Sequence, residues 1–246
     1  TTDTTDTTDT TDAHTTPEFT GLCNGLIVKI FRTTLNEFSK RREYIFGDYR
    51  YDYRAKRHTS RNSSVALNSE ASTNNSVGYN HLNKKELILL WCIKEYRNLK
   101  RCFKCGLRVP YPYVYAQHML YMSMIPATNS NNVPSMPAPQ LREYLQTQKA
   151  TKSLNKPELN RLFVDVISFI HMLYHYAHLV HGDMNDYNLL VCDGYIYMID
   201  FGQAVDITHP KATEYLLRDV ENIYNIFAAI LNTNQWEGDE DDEDAT

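Results

Sequence analysis

The sequence predicts an α+β fold, because it combines short apolar runs that end at turn residues, two amphipathic stretches with helical spacing, and a two-residue hairpin turn. Its 246 residues are 42% hydrophobic and 12% aromatic, which is enough apolar surface for one large domain or two small lobes. We therefore expect strands and helices to share one core or two adjoining cores.

Three stretches predict β-strands. Residues 25–31 form a short apolar run directly after an Asn-Gly turn, and residues 114–125 are long enough for a strand or a hairpin. Asp193 and Gly194 form a turn signal between two further apolar runs, because Asp-Gly tolerates the positive φ angles of a tight hairpin. The chain therefore predicts strands near its start and a hairpin in its second half.

Two stretches predict helices, residues 85–102 and residues 155–173. The second begins with Asn155 as its capping residue and has Pro157 in its first turn, where a missing N–H is tolerated. The apolar positions are Leu87, Leu90, Trp91 and Leu99 in the first helix, and Leu159, Leu162, Phe163, Val166, Ile170 and Leu173 in the second.

The formal net charge of −5 conceals a basic body between two acidic ends. Residues 1–12 are four Thr-Thr-Asp repeats and residues 237–246 contain seven acids, so residues 13–236 hold 19 acids against 25 bases. Both ends lack the apolar side chains that offset the entropy of ordering, which predicts disorder for residues 1–20 and 237–246. The Ser- and Asn-rich stretch 56–84 predicts a flexible insert.

The cysteines and the hydropathy pattern favour a reduced compartment away from the membrane. Five cysteines occur without an apolar leader, so free thiols are expected. Cys102 and Cys105 form a Cys-x-x-Cys pair, but no second pair or matching His spacing supports a zinc site. The most apolar window, 162–180, contains Asp165 and is not expected to span a bilayer.

Asp183, Asn188 and Asp200 suggest a site in the second half of the chain. Folding the predicted hairpin brings its open ends together, and those ends are Asn188 and Asp200. A converging amide oxygen and carboxylate suit Mg²⁺, whose other ligands are waters and phosphate oxygens. Asp183 can face the same cavity, placed to accept a proton or to orient a nucleophile. Each residue alone could cap a loop or end a strand, but together they indicate a site.

The motifs around these residues resemble those of protein-kinase-like phosphotransferases. His181-Gly182-Asp183 with Asn188 is similar to a catalytic loop, and Asp200-Phe201-Gly202 is similar to a metal-binding triplet. Upstream, Lys29 resembles the strand lysine that contacts nucleotide phosphates, and Glu95 resembles its helix partner. A carboxylate that holds the long ammonium side chain in place reduces the entropy lost when phosphate binds.

Residues 28–54, 94–112 and 206–227 resemble the RIO family of atypical serine/threonine protein kinases, and its first subfamily in particular. Aminoglycoside phosphotransferases and the small kinases of tRNA-modifying complexes also use His-Gly-Asp. A small-molecule kinase would need a substrate pocket after Asp200, and the short segment there leaves little length for one. Gly182 stands where ordinary protein kinases have an arginine that binds a phosphorylated activation loop. The resemblance covers about residues 25–230.

The resemblance implies a protein-kinase-like two-lobe fold of the compact RIO type, without the subdomains that bind peptide substrates. A small β-rich N-lobe would span residues 21–125 and a mainly helical C-lobe residues 126–236. ATP and Mg²⁺ are the implied cofactors. The implied site consists of the catalytic Asp183 and Asp200, the nucleotide-binding Lys29, Glu95, Ser123, Ile125 and Asn188, and the Mg²⁺ ligands Asn188 and Asp200.

One departure from the family pattern bears on activity. Family members have a phosphate-covering loop similar to Ser-Thr-Gly-Lys-Glu-Ala-Asn before the lysine strand, and residues 13–24 do not resemble it. The N–H groups of that loop would cradle the triphosphate, so we expect weaker nucleotide binding. Two functions stay open: an ATP-dependent serine/threonine kinase or ATPase, and a catalytically impaired pseudokinase that serves as a pre-ribosome binding module.

The resemblance also implies a partner and a location. It implies a role in maturation of the small ribosomal subunit. ATP turnover would time release from the pre-ribosomal particle, and one version of this hypothesis includes a phosphorylated form of Asp200. The partners would be protein and rRNA of that particle, and the basic body agrees with an RNA partner. We expect a monomer without membrane association, in the cytoplasm and able to shuttle to the nucleus.

Overall fold

The computed structural model describes residues 25–32, 43–51, 84–127 and 136–233. Residues 1–20 and 237–246, which are predicted to be disordered, lie outside these ranges. The segment 13–24 and the insert 56–84, apart from Lys84, lie outside them too. The described ranges contain both helices and strands, and the strands pair antiparallel, so the α+β prediction is confirmed. The helices are α1 Lys84–Lys104, α2 Leu141–Ala150, α3 Lys156–His175 and α4 Ala212–Thr233, and the strands are β1 Leu26–Ile30, β2 Pro112–Ala116, β3 Met119–Ser123, β4 Leu179–Val180, β5 Leu189–Cys192, β6 Tyr195–Met198 and β7 Val205–Asp206.

The first lobe is a three-stranded antiparallel sheet in the order β1-β3-β2, with α1 packed against it. Lys29 of β1 pairs with Leu120 of β3, whose side chain is buried. The sequence predicts a strand or hairpin from residue 114 onwards, and the structure has a hairpin that begins two residues earlier. Most apolar side chains of β1 are exposed, so few core contacts fix this strand.

The second lobe is built around α3, whose predicted start is confirmed. The Asn155 side chain accepts a hydrogen bond of 2.8 Å from the Glu158 N–H, and Pro157 lies in the first turn. The predicted apolar stripe is buried except for Phe163, which is half-buried and meets Phe227 of α4 edge-to-face at 5.3 Å. The helix thus forms the centre of the C-terminal core.

The predicted β5–β6 hairpin is confirmed, with Asp193 and Gly194 at φ angles of 52° and 72°. Three features of this lobe lie outside the sequence predictions, and the largest is the 22-residue helix α4, whose segment contributes only to the family resemblance. Helix α2 has no side-chain cap at Gln140 and a short buried face, so its sequence signal is weak. The pair of short strands β4 and β7 gains its stability from the surrounding core, where all four of its side chains are buried.

The remaining sequence predictions concern cysteines and the membrane. The four described cysteines are free, and no cluster of three or more His, Cys, Asp or Glu side chains among the described residues could hold a metal ion. Cys102 is buried in the core, and Cys105 donates to the Tyr176 carbonyl. In the described ranges no helix combines the length and the apolar character needed to cross a membrane.

Candidate active site

A cleft of about 600 Å³ lies between the β1-β3-β2 sheet and the β5–β6 hairpin. One end is lined by Ser123 at the end of β3 and by Met124 and Ile125 after it, and the other end by polar side chains from both lobes. Six of the seven predicted site residues line this cleft, and Asp183 lies beside its polar end. The six are Lys29, Glu95, Ser123, Ile125, Asn188 and Asp200.

Lys29 joins the two lobes through its ammonium group. Its Nζ lies 2.9 Å from both carboxylate oxygens of Glu95 on α1 and 2.7 Å from Oδ1 of Asp200 after β6. Burial lowers the pKa of Lys29, but the carboxylates of Glu95 and Asp200 outweigh burial and the pKa is raised. The lysine is therefore charged and held between two carboxyl groups that come from opposite sides of the cleft.

The two carboxylates around Lys29 lie in different environments. Glu95 is fully buried, and burial raises the pKa of its carboxyl to about 7 although Lys29 opposes the rise. Burial raises the pKa of Asp200 as well, but the Lys29 ammonium, His181 and the Gly202 N–H together outweigh burial and hold the pKa below its ordinary value. The Asp200 side chain remains 43% exposed, towards the cleft that it lines. Asp200 is thus the ionised carboxylate that a ligand in the cleft can reach.

The hairpin geometry brings Asn188 and Asp200 together as the sequence predicts. Ile199 N–H donates to the Asn188 carbonyl at 3.0 Å, which closes the hairpin one residue before Asp200. The Asn188 amide nitrogen donates to the Asp183 carbonyl at 2.8 Å, which leaves the amide oxygen as the free end of that side chain. An amide oxygen and an ionised carboxylate on one cleft wall form a donor set that fits Mg²⁺, which takes few protein ligands beside phosphate oxygens.

The Asp183 carboxyl is partly buried and is hydrogen-bonded to a neighbouring loop. Burial raises the pKa of this carboxyl, and the nearby Asp200 and Asp219 carboxylates add to the rise, while His181 and Arg218 oppose it. Its Oδ2 accepts a hydrogen bond of 2.8 Å from Nε2 of Gln203. A carboxyl group that binds protons more strongly than usual, next to the polar end of a cleft, suits proton transfer.

Asp219 of α4 anchors the loop that carries Asp183, a role that the sequence predictions missed. Its buried carboxylate accepts hydrogen bonds from the N–H groups of Gly182 at 2.7 Å and Met184 at 3.0 Å. The neighbouring Arg218 donates to the Gly182 carbonyl. Gly182 has a φ of 76°, which favours glycine. The sequence signal that could have revealed this role is the Leu-Arg-Asp triplet at residues 217–219, which is part of the family resemblance.

The inner face of α1 supports the segment after Asp200. Lys94 is fully buried and donates to the carbonyls of Gly202 at 2.9 Å and Ala204 at 2.7 Å. Burial lowers the pKa of Lys94 to about 7. One turn later, Asn98 donates at 3.0 Å to the carbonyls of Phe201 and Ala204. Neighbouring residues of α1 therefore contact Lys29 and the triplet loop, which ties the two halves of the site to one helix.

Residues 43–51 add a further contact between the lobes. Tyr44 stacks on Tyr215 of α4 at 5.0 Å, and the His209 ring contacts the Phe46 carbonyl at 2.8 Å. Arg50 binds the buried Asp48 at 2.6 Å and donates to the Asn98 amide oxygen at 2.8 Å. This segment packs between α1 and the start of α4, where it supports Asn98.

The cleft end opposite Lys29 contains the predicted adenine-contacting residues. Ser123 N–H donates to the Tyr111 carbonyl at 2.9 Å, and Tyr111 N–H donates to the Ser123 hydroxyl oxygen at 2.8 Å. The Ile125 carbonyl accepts from the Ala138 N–H at 2.9 Å. The Ser123 hydroxyl and N–H and the Ile125 carbonyl are thus used within the fold, and the predicted contacts with a base would come from the other backbone groups of residues 123–125.

Known proteins resemble this chain in sequence. Residues 69–237 match the family model for the RIO domain, a range that includes Glu95 and the 181–202 motifs but not Lys29. The chain is 31% identical over 200 residues to the serine/threonine-protein kinase RIO3 of Homo sapiens, covering 81% of this chain and 31% of that protein. It is 30% identical over 208 residues to the serine/threonine-protein kinase RIO1 of Caenorhabditis elegans, covering 85% of this chain and 34% of that protein.

The chain thus spans about a third of the length of these curated relatives. Among solved structures, the Rio2 kinase from Chaetomium thermophilum is similar with a TM-score of 0.47 and 25% sequence identity. That similarity covers 65% of this chain and 46% of the Rio2 chain.

Proposed function

This chain belongs to the RIO family of atypical protein kinases, and from that membership we propose that it binds ATP with Mg²⁺ and transfers or hydrolyses the γ-phosphate. The observation that carries the proposal is the Lys29 ammonium, which lies 2.9 Å from Glu95 and 2.7 Å from Asp200 at the polar end of the cleft. A fixed cation beside an exposed carboxylate is suited to phosphate and Mg²⁺ together.

In this proposal each lobe supplies one part of the nucleotide site. Lys29 contacts the α- and β-phosphates, and Glu95 keeps the ammonium in place, since a long side chain held by a carboxylate loses less entropy on binding. Residues 123–125 receive the adenine ring through backbone groups. Asn188 and Asp200 hold Mg²⁺, which, when bound, neutralises the negative charge of the phosphate oxygens.

Asp183 is the proposed base for the acceptor. Its carboxyl has a raised pKa because of burial, so it takes a proton more readily than an exposed aspartate does. The group that loses the proton is a serine or threonine hydroxyl in the kinase reaction and a water molecule in the ATPase reaction. The two reactions need the same cleft and the same base, and they differ in which acceptor reaches Asp183.

We further propose that the biological setting is maturation of the small ribosomal subunit. The support comes from the family resemblance and from the excess of 25 bases over 19 acids in residues 13–236, which favours an RNA partner. ATP turnover by a monomer bound to the particle would time its release. The proposed location follows from that setting: the cytoplasm, with access to the nucleus.

The experiment that tests the phosphotransfer proposal measures Mg-ATP binding by calorimetry and phosphate release or transfer for the wild type and Asp183→Asn. We expect Asp183→Asn to bind Mg-ATP with little change and to lose turnover by about 100-fold or more, because general base catalysis contributes that much. The matched control is Asp193→Asn at the hairpin turn, where an Asn-Gly turn retains the same geometry. A wild type without Mg-ATP binding contradicts the proposal.

The ribosomal setting has its own test. Wild type and Asp183→Asn are compared for co-sedimentation with pre-small-subunit particles in cells. Release driven by turnover predicts that the Asp183→Asn variant stays on the particles longer. Equal residence of the two proteins would reject ATP-timed release, and together with absent turnover it would favour the pseudokinase that serves as a binding module.

A further inference from the structure

Gln203 stands between the two chemical motifs of the site, three residues after Asp200 and just before β7. Strand β7 pairs with β4 so that Val205 lies opposite Val180. Continuing this antiparallel register brings Gln203 opposite Gly182, and a Cβ added at Gly182 would lie 3.3 Å from the Gln203 carbonyl oxygen. The strand pairing therefore holds Gln203 directly against the loop that carries Asp183.

The side chain of Gln203 is directed at the Asp183 carboxylate. Nε2 of Gln203 lies 2.8 Å from Oδ2 of Asp183. An ionised carboxylate only accepts hydrogen bonds, so the amide nitrogen is the end of the glutamine that must face it. The Asp183 backbone is held separately, because its carbonyl accepts from the side chains of Asn185 at 3.1 Å and Asn188 at 2.8 Å. Backbone and carboxylate thus have different partners.

Burial raises the pKa of the Asp183 carboxyl, and charged groups of both signs lie around it. His181 and Arg218 favour the ionised carboxylate, whereas Asp200 and Asp219 oppose it. In the described ranges, Gln203 is the side chain that donates a hydrogen bond to the carboxylate itself. A neutral donor fixes the direction of a carboxylate and lowers its affinity for a proton less than a lysine or arginine in the same place would. The site therefore combines orientation with basicity.

We propose that Gln203 is a positioning residue for Asp183, which binds Oδ2 and leaves Oδ1 to receive the proton of the acceptor hydroxyl or water. This role rests on the proposed function. It assigns the residue after the Asp200–Gly202 triplet to the proton transfer rather than to nucleotide binding, since Gln203 does not line the cleft. A fixed carboxylate favours the reactive geometry, because misplacement of a reacting group reduces the rate steeply.

The alternative is that Gln203 only tethers the loop, and the two roles affect different quantities. If the contact only stabilised the loop, its loss would displace Asn188 as well, and Mg-ATP affinity would fall together with turnover. If it orients the Asp183 carboxylate, its loss reduces kcat and leaves Mg-ATP affinity unchanged, because the nucleotide contacts do not include Gln203.

The experiment measures kcat and the Kd for Mg-ATP in the 246-residue chain for wild type, Gln203→Met and Gln203→Glu. Methionine keeps the shape of glutamine without the donor, and glutamate keeps its length but repels Asp183. The matched control is Gln146→Met, which makes the same change on the exposed surface of α2. We expect kcat of Gln203→Met to fall about 10- to 100-fold, the range for a hydrogen bond to a charged group, with Kd changed less than about threefold.

Gln203→Glu is expected to lose at least as much turnover as Gln203→Met, and it replaces that variant if Gln203→Met does not fold. An unchanged kcat in the two variants overturns the role, and so does a parallel loss of kcat and Mg-ATP affinity, which is the pattern of a tether. A wild type that binds Mg-ATP without turning it over rejects the proposed function and the role of Gln203 together. If kcat falls in the variants but not in the wild type, and Mg-ATP affinity is unchanged, the result supports both the proposed function and the role of Gln203.

Discussion

The two sides of the polar cleft end are held in place by different means. The Asp183 loop rests on buried hydrogen bonds: Asp219 binds two of its N–H groups, and Asn188 binds its backbone carbonyl. Lys29 lies on β1, where most apolar side chains are exposed, and its ammonium is held by Glu95 and Asp200. One side is therefore fixed by the core, and the other is fixed by charge.

This difference separates stability from ligand binding. A change in the core-fixed side should unfold the C-lobe before it alters chemistry, because buried donors lose their acceptors. A change in the charge-fixed side should weaken phosphate binding with little effect on the free energy of unfolding, because the cost of burying the Glu95 carboxylate offsets much of its attraction to Lys29. The following predictions test that contrast, from the largest expected effect to the smallest.

Asp219→Ala is expected to lower the free energy of unfolding by about 3–5 kcal/mol, since two buried N–H groups lose a charged acceptor. The measurement is urea unfolding followed by circular dichroism. Glu221→Ala, an exposed acid on the same helix, is the matched control and should change stability by less than about 0.5 kcal/mol. Similar unfolding midpoints for the two variants would show that the loop is not anchored by Asp219.

Lys94→Met is expected to change the pH dependence of stability. The pKa of Lys94 is about 7 in the folded chain and has a reference value of 10.5, so the unfolded state binds more protons between these values. The wild type should therefore gain stability as pH rises above 7, by about 1.4 kcal/mol per pH unit at most, and Lys94→Met should lack this gain.

The measurement for Lys94 is the free energy of unfolding at pH 7, 8 and 9. Lys85→Met, an exposed lysine at the start of α1, is the control and should keep the wild-type slope. Parallel slopes for wild type and Lys94→Met would mean that Lys94 titrates in the folded chain as it does when unfolded, contrary to its burial.

Glu95→Gln should weaken Mg-ATP binding by about tenfold, because Lys29 keeps Asp200 but loses the partner that directs its ammonium. The free energy of unfolding should change little, because glutamine also removes a buried carboxyl whose pKa is raised to about 7. Calorimetry and urea unfolding on the same samples provide the comparison. A large loss of stability with intact Mg-ATP binding would mean that Glu95 stabilises the fold rather than the nucleotide site.

The sequence was most informative where structure depends on local signals. Asn155 and Pro157 predict the start of α3, and Asp193 with Gly194 predicts a hairpin, because caps and turns act over a few residues. The family prediction is confirmed by the match over residues 69–237. The hairpin also explains why Asn188 and Asp200 could be paired from sequence alone.

The sequence was least informative about long-range support for the site. Lys94, Asn98 and Asp219 are polar residues within helical patterns, and such residues are more often exposed than buried. Their partners lie between about 35 and 110 positions away, so no local pattern shows that they are satisfied. Gln203 was missed for the same reason. The roles of the seven predicted site residues remain predictions.

Helix α1 limits how the chain can vary in length. Lys94 and Glu95 are neighbours in sequence, and they bind partners on different sides of the cleft, the triplet loop and Lys29. Because each residue turns a helix by about 100°, a one-residue insertion within α1 would move one of these side chains away from its partner. Insertions before Lys84 leave both contacts in register. Related chains should therefore differ in length before α1 and keep a constant spacing from Lys94 to Asn98.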